Sequence, residues 1–190
     1  TNLNTKSSEF EILVSSDVAD KVDYVLVDGS LTSHLAWHQH AEIKLKQLIK
    51  TVKQFPNILF IAKTSSSVHQ FKKMNAGLAD IAYYNKLDKT PGFSKISIDE
   101  RFGKDNPVTY VYARVDKSLG LFKLELYGRN YSEEIIKLIL DKINYNCVKG
   151  YPYCLKQAHN KCKIKDEHMR NFTRILGLTN EFGAREILEA

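Results

Sequence analysis

The chain reads as a mixed α/β domain. Three observations predict it: an apolar strand that ends on an acid and a glycine, a strand–helix–strand–helix order through the first half, and an aromatic hairpin followed only by helical segments. Val22–Asp28 is the first strand, β-branched and apolar until the carboxylate. Leu31–Gln54 follows, with Leu35, Ile43, Leu45, Leu48, Ile49 and Val52 near helical spacing, and Pro56-Asn57 stops it. Ile58–Ala62 is a short apolar strand ending at Lys63-Thr64. Val68–Leu87 is predicted helical, capped from Ser66 or Ser67, and 88–94 is a loop. Thr109–Val115 and Leu121–Tyr127 alternate around a turn at 116–120 and form a hairpin. Ser132 then opens a helix to about Asn144, with Glu133 and Glu134 at its positive end. Tyr151-Pro152 starts another helix, and Asp166 caps a last one that Gly177 ends.

Bulk properties narrow the class. A chain of 190 residues, 43% hydrophobic and 26% charged, predicts one domain over 1–190 with its own core. The net charge of +6 favours a polyanionic partner such as nucleic acid. Three cysteines, an odd number, argue against a disulfide framework and for a reducing, cytoplasmic interior. No apolar run reaches the roughly eighteen residues of a membrane span, and residues 1–9 are too polar for a signal peptide. The opening on Thr1 rather than Met points to residues upstream.

The chemistry starts at Asp28. A carboxylate at the tip of a buried strand is costly unless a cation or donor awaits it, so Val25–Ser30 hints at a metal site; Asp-Gly is also an ordinary hairpin turn. Glu42 is the sole acid between Gly29 and Ala79, and Asp80 is the next. Hydrolysis of a phosphodiester with two divalent ions needs three or four hard oxygen or imidazole ligands about a gap of roughly 4 Å. Asp28, Glu42, Asp80 and His159 are the candidates, and Lys63, just past a strand, is placed to meet the phosphate. Against this stands the plain alternative that Glu42, Lys63 and Asp80 are solvated surface residues. Glu125, in the hairpin, competes with Glu42 as the extra carboxylate.

Two other constellations compete. Cys147, Cys154, His159 and Cys162 offer four soft ligands for zinc, but there is no Cys-x2-Cys knuckle and the segment reads as helical. His34 and His38 sit four apart beside Trp37 and His40, without the acid that a zinc-protease helix needs. Tyrosines among lysines and arginines suit stacking on unpaired bases, though a half-exposed sheet uses Tyr in the same way.

Several short segments, in order, resemble one family. Gly150-Tyr151-Pro152-Tyr153-Cys154-Leu155-Lys156-Gln157-Ala158-His159, with Ile164 after it, resembles the C-terminal signature of the NurA nucleases. Val27-Asp28-Gly29-Ser30 is similar to that family's first motif, and Ala62-Lys63-Thr64-Ser65 to its lysine segment. Leu78-Ala79-Asp80 and Thr90-Pro91-Gly92-Phe93-Ser94 resemble the aspartate and glycine loop that come next. The resemblance implies a ribonuclease H-like mixed sheet with flanking helices, in a short member or paralogue. It implies a deoxyribonuclease, using Mn²⁺ or Mg²⁺ in DNA end resection or repair, that works as a homodimer beside a HerA-like helicase-translocase. Asp28, Glu42, Asp80 and His159 would then hold metal, with Tyr151, Lys63 and Ser30 against the DNA. Family members are longer, with an inserted subdomain, which leaves open the dimer, the polarity of digestion and the HerA contact. A catalytically silent DNA-binding or adaptor subunit, and a small zinc-stabilised interaction module, are the competing functions.

Overall fold

The computed structural model describes residues 21–31, 41–71, 78–87, 89–117, 120–148, 151–163 and 165–177, with the backbone alone for 41–47. Two compact units divide the chain, residues 1–155 and 156–190. The first holds a six-stranded sheet. Its strands are β1 (Val25–Asp28), β2 (Ile58–Ala62), β3 (Gly92–Phe93), β4 (Ser97–Asp99), β5 (Val108–Arg114) and β6 (Phe122–Tyr127). The order is β1-β2-β6-β5-β3, with β4 also paired to β5; β1 and β2 are parallel and every other pair is antiparallel.

β2 and β5 are buried along their whole length, which is why Ile58–Ala62 carries no polar alternation. On one face, Leu59, Ile61, Val111, Ala113, Phe122, Leu124 and Leu126 meet helix α3 (Glu133–Tyr145) through Ile136, Ile139, Leu140 and Ile143. Those four positions follow the helical period, and each large apolar side chain removed from water contributes about 1.5–3 kcal/mol. Ser132 is the N-cap, its Oγ accepting from the Ile135 N–H at 3.4 Å. On the other face, Leu48 and Val52 of helix α1 (Ala41–Gln54) pack with Leu31, Ile58, Phe60 and Val108.

Several boundaries depart from the sequence reading. β1 begins at Val25, since Val22 is exposed. The helix expected from Leu31 is seen from Ala41; residues 32–40, with His34, Trp37, His38 and His40, lie outside the described residues. Residues 68–71 are not helical, and α2 spans only Asp80–Leu87, because Asp80 binds the 67–71 backbone into a loop. β3 and β4 are too short to show a period. Tyr151-Pro152 does not open a helix: it is β8 (Tyr151–Pro152), paired antiparallel with β7 (Cys147–Val148). Helix α4 (Tyr153–Cys162) starts one residue later. α5 (Asp166–Ile175) has Lys165 at its N-cap without a side-chain bond, so Asp166 sits in the first turn instead of capping it. Tyr110 and Tyr112 are buried, as are Lys123 and Glu125, so the sheet is covered on both faces and these tyrosines cannot stack on a base.

Candidate active site

Because β1 and β2 run parallel, their C-terminal ends lie side by side, with Asp28 opposite Ile61. Alternation sends Asp28 to the face shared by Tyr24 and Leu26, the face that α3 covers. Lys63, two residues past Ile61, returns to the same place. Its Nζ stands 3.7 Å from Asp28 Oδ2, both side chains about half exposed. The same Nζ lies 4.1 Å from the centroid of the Tyr151 ring, which packs against the α3 side of the core. Partial burial works against the Lys63 ammonium, but Tyr151 and Asp28 outweigh it and hold its pKa above the ordinary lysine value. Burial pushes the Tyr151 phenol up, and Asp28 adds to this against the pull of Lys63. Both neighbours approach the Tyr151 hydroxyl, yet neither completes a hydrogen bond of good geometry with it.

This group has two useful properties. Asp28 presents hard oxygens to solvent, and Lys63 is a fixed cation that remains charged at neutral pH. Beside Lys63 a cleft of about 330 Å³ runs past Thr64, Ser65, Ala82, Asn85 and Leu121.

The remaining candidates are placed differently. Ser30 is buried, and its hydroxyl donates to Glu125 at 2.8 and 3.0 Å, so it faces inward. Asp80 has no exposed surface: Oδ1 accepts from the Phe71 N–H at 3.1 Å, and Oδ2 from Gln70 N–H at 3.1 Å and Ser67 Oγ at 3.3 Å. Glu42 lies on α1 within the stretch described by backbone alone. His159 is exposed on the part of α4 that belongs to the second unit. Among the described residues no three His, Cys, Asp or Glu side chains gather closely enough to hold one ion. Cys147, whose thiol burial pushes up to about 11, and the exposed Cys154 and Cys162 are free thiols, with nothing described that supports the zinc reading.

Glu125, the sequence rival of Glu42 as the extra carboxylate, belongs to a buried cluster that the sequence reading did not foresee. Glu125 is fully buried, paired with Lys123 at 2.6 Å, and accepts the Leu31 N–H at 2.6 Å as well as the Ser30 hydroxyl. Nearby, Asp99 is gripped by the Arg101 guanidinium at 2.6–3.0 Å. A Lys-x-Glu pair inside the apolar strand Phe122–Tyr127 was the available signal, since two buried charges two residues apart share one face.

Comparison with known proteins supplies the family. The NurA domain model matches residues 6–164. A protein of Sulfolobus acidocaldarius named DNA double-strand break repair nuclease NurA is 24% identical over 213 residues, covering 87% of this chain and 61% of its own. Its namesake in Saccharolobus solfataricus is 23% identical over 203 residues, covering 83% of this chain and 59% of its own. The chain therefore spans about three fifths of the length of these curated relatives. The crystal structure of the NurA nuclease from Sulfolobus solfataricus superposes with a TM-score of 0.78 at 21% identity, over 94% of this chain and 66% of that one. The mixed sheet and its flanking helices are thus ribonuclease H-like. A matched domain over most of the sequence, with the fold to accompany it, places this chain in the NurA family.

Proposed function

We propose that this chain is the nuclease domain of a DNA repair enzyme, hydrolysing phosphodiester bonds with Mn²⁺ or Mg²⁺. The observation that carries the reading is the Asp28–Lys63–Tyr151 group at the open ends of two parallel strands. The names of its relatives, DNA double-strand break repair nucleases, and the net charge of +6 support DNA as the substrate.

The half-exposed Asp28 carboxylate fits a hard divalent cation. Glu42 and His159 are its proposed partners; Asp80 is the weakest member, since it has no exposed surface and its two oxygens already accept from three protein donors. When bound, such ions activate water for in-line attack and stabilise the leaving oxygen. Lys63 binds a phosphate oxygen and offsets the charge that develops on it. The Tyr151 ring keeps the Lys63 ammonium in place, and Asp28, once released from Lys63 by the incoming phosphate, is free to act as a ligand. A homodimer, a HerA-like partner and a cytoplasmic setting belong to the same proposal.

The test is cleavage of end-labelled single-stranded and duplex DNA with Mn²⁺ by wild type, Asp28→Asn, Lys63→Ala and His159→Ala. Loss of cleavage in all three folded variants supports the reading. Salt-sensitive DNA binding without cleavage by wild type in any divalent metal overturns it in favour of a silent DNA-binding subunit.

A further inference from the structure

The turn that follows Asp28 is held from the opposite face of the sheet. Val27, Phe60 and Glu125 are in register across β1, β2 and β6, on the face away from the Asp28 side chain. Gly29 turns with φ of 110°, and its N–H is fixed on the Ile61 carbonyl at 2.7 Å. The next two residues are held by one carboxylate: Ser30 Oγ and the Leu31 N–H both donate to Glu125. Lys123 Nζ closes the cluster, 2.6 Å from Glu125 Oε1 and 4.3 Å from the Tyr110 ring centroid.

A buried ion pair contributes little net stability over apolar residues of similar volume. What it contributes here is geometry. Glu125 receives three donors from two separate segments, so the backbone on the far side of Gly29 has no freedom to drift. With β1 paired to β2 before Asp28 and Glu125 holding the chain after it, the carboxylate stands on a backbone anchored at both ends.

We propose that Glu125, supported by Lys123, is a positioning residue for Asp28 and not a metal ligand. This rests on the reading of Asp28 as part of the reacting group. The Glu125 oxygens accept from protein donors and Glu125 has no exposed surface, so it reaches Asp28 through Ser30 and Leu31.

The test uses Lys123→Met combined with Glu125→Leu, which removes both charges and strands neither. The expected result is a metal-free melting temperature lower by a few degrees, because the buried Leu31 N–H and Ser30 hydroxyl lose their acceptor, with loss of Leu31 amide protection in hydrogen exchange, an unchanged KM for an oligonucleotide, and kcat lower by about 10–100-fold. Wild-type kcat despite lost Leu31 protection overturns the proposal, as does retained protection. If the double variant fails to fold, Ser30→Ala keeps both charges and removes one anchor. A kcat several-fold down at constant KM then supports the proposal, and an unchanged kcat overturns it. Should wild type itself cleave nothing, that result counts against the nuclease reading alone. The positioning role is then read from amide chemical shifts: changes reaching Asp28 support it, and an unmoved Asp28 amide overturns it.

Discussion

Replacing Asp80 separates its two conceivable roles, anchor and metal ligand. Asp80→Ala strands the backbone N–H groups of Gln70 and Phe71, each now held at 3.1 Å by a carboxylate with no exposed surface. An unsatisfied buried donor costs roughly 1–3 kcal/mol. Both bonds are only partly shielded, so the lower half of the range applies, and the sum is about 2–4 kcal/mol. For a chain of this length, about 2–4 °C per kcal/mol gives a fall of roughly 4–16 °C in Tm. Asp80→Asn keeps one acceptor and is expected to fall by about half as much. The assay is thermal unfolding followed by circular dichroism, with and without Mn²⁺. Mn²⁺ bound at the proposed site is expected to raise the wild-type Tm; an anchor lowers the metal-free Tm and leaves that rise intact. A ligand does the reverse, because removing a carboxylate from a repelling cluster leaves the metal-free protein no less stable while the rise disappears. An unchanged metal-free Tm in Asp80→Ala refutes the anchoring role.

The other predictions concern acid stability and the Tyr151 ring. Burial pushes the Asp99 carboxyl up, but the Arg101 fork outweighs it and holds the folded pKa below the ordinary aspartate value. A depressed folded pKa stabilises above the unfolded value, and this is lost as pH falls through the folded one. Arg101→Gln should therefore lower the unfolding free energy read from urea titration at neutral pH, by about 1 kcal/mol or less given the exposure of Arg101, and the gap to wild type should close toward acid. A gap that stays constant with pH would count against the pairing. Tyr151→Phe keeps a ring 4.1 Å from Lys63 and should bind oligonucleotide as wild type does, whereas Tyr151→Ala should lose a few-fold, the roughly 0.5–1 kcal/mol of an exposed cation–π contact. Fluorescence anisotropy distinguishes them, and equal affinities in the two variants would show that the ring does not hold the lysine.

The legible parts of the fold were those whose signal is local. Ile58–Ala62 announces a doubly buried strand by its unbroken apolarity, and Ser132-Glu133-Glu134 announces a helix start by its cap and its acids. The segment after Ser67 failed because its conformation is set by Asp80, ten residues away from Gln70, which outweighs the helical pattern. Tyr151-Pro152 failed because proline suits both a first helical turn and a strand lacking a donor, and only the pairing with Cys147-Val148 decides. In the candidate site, Asp28 stood out as an acid at the end of an apolar strand. The inward turn of Ser30 did not, since its partner Glu125 is 95 residues distant and no spacing rule reaches so far. Asp80 was legible as an acid in the right interval, but its three donors were invisible in a linear pattern.

β1 has a consequence for how the protein wears out. Among the described strands it forms an end of the sheet, four residues long, laddered to β2 along one flank only. Short, one-sided strands belong to the regions that open locally well before the whole domain melts. Asp28 rides on that strand, while β2, β5 and β6 form the interior of the sheet. On warming, Val25–Asp28 is expected to fray from its Val25 end before the interior strands open, so the proposed cleavage should fade at a lower temperature than the folded circular-dichroism signal.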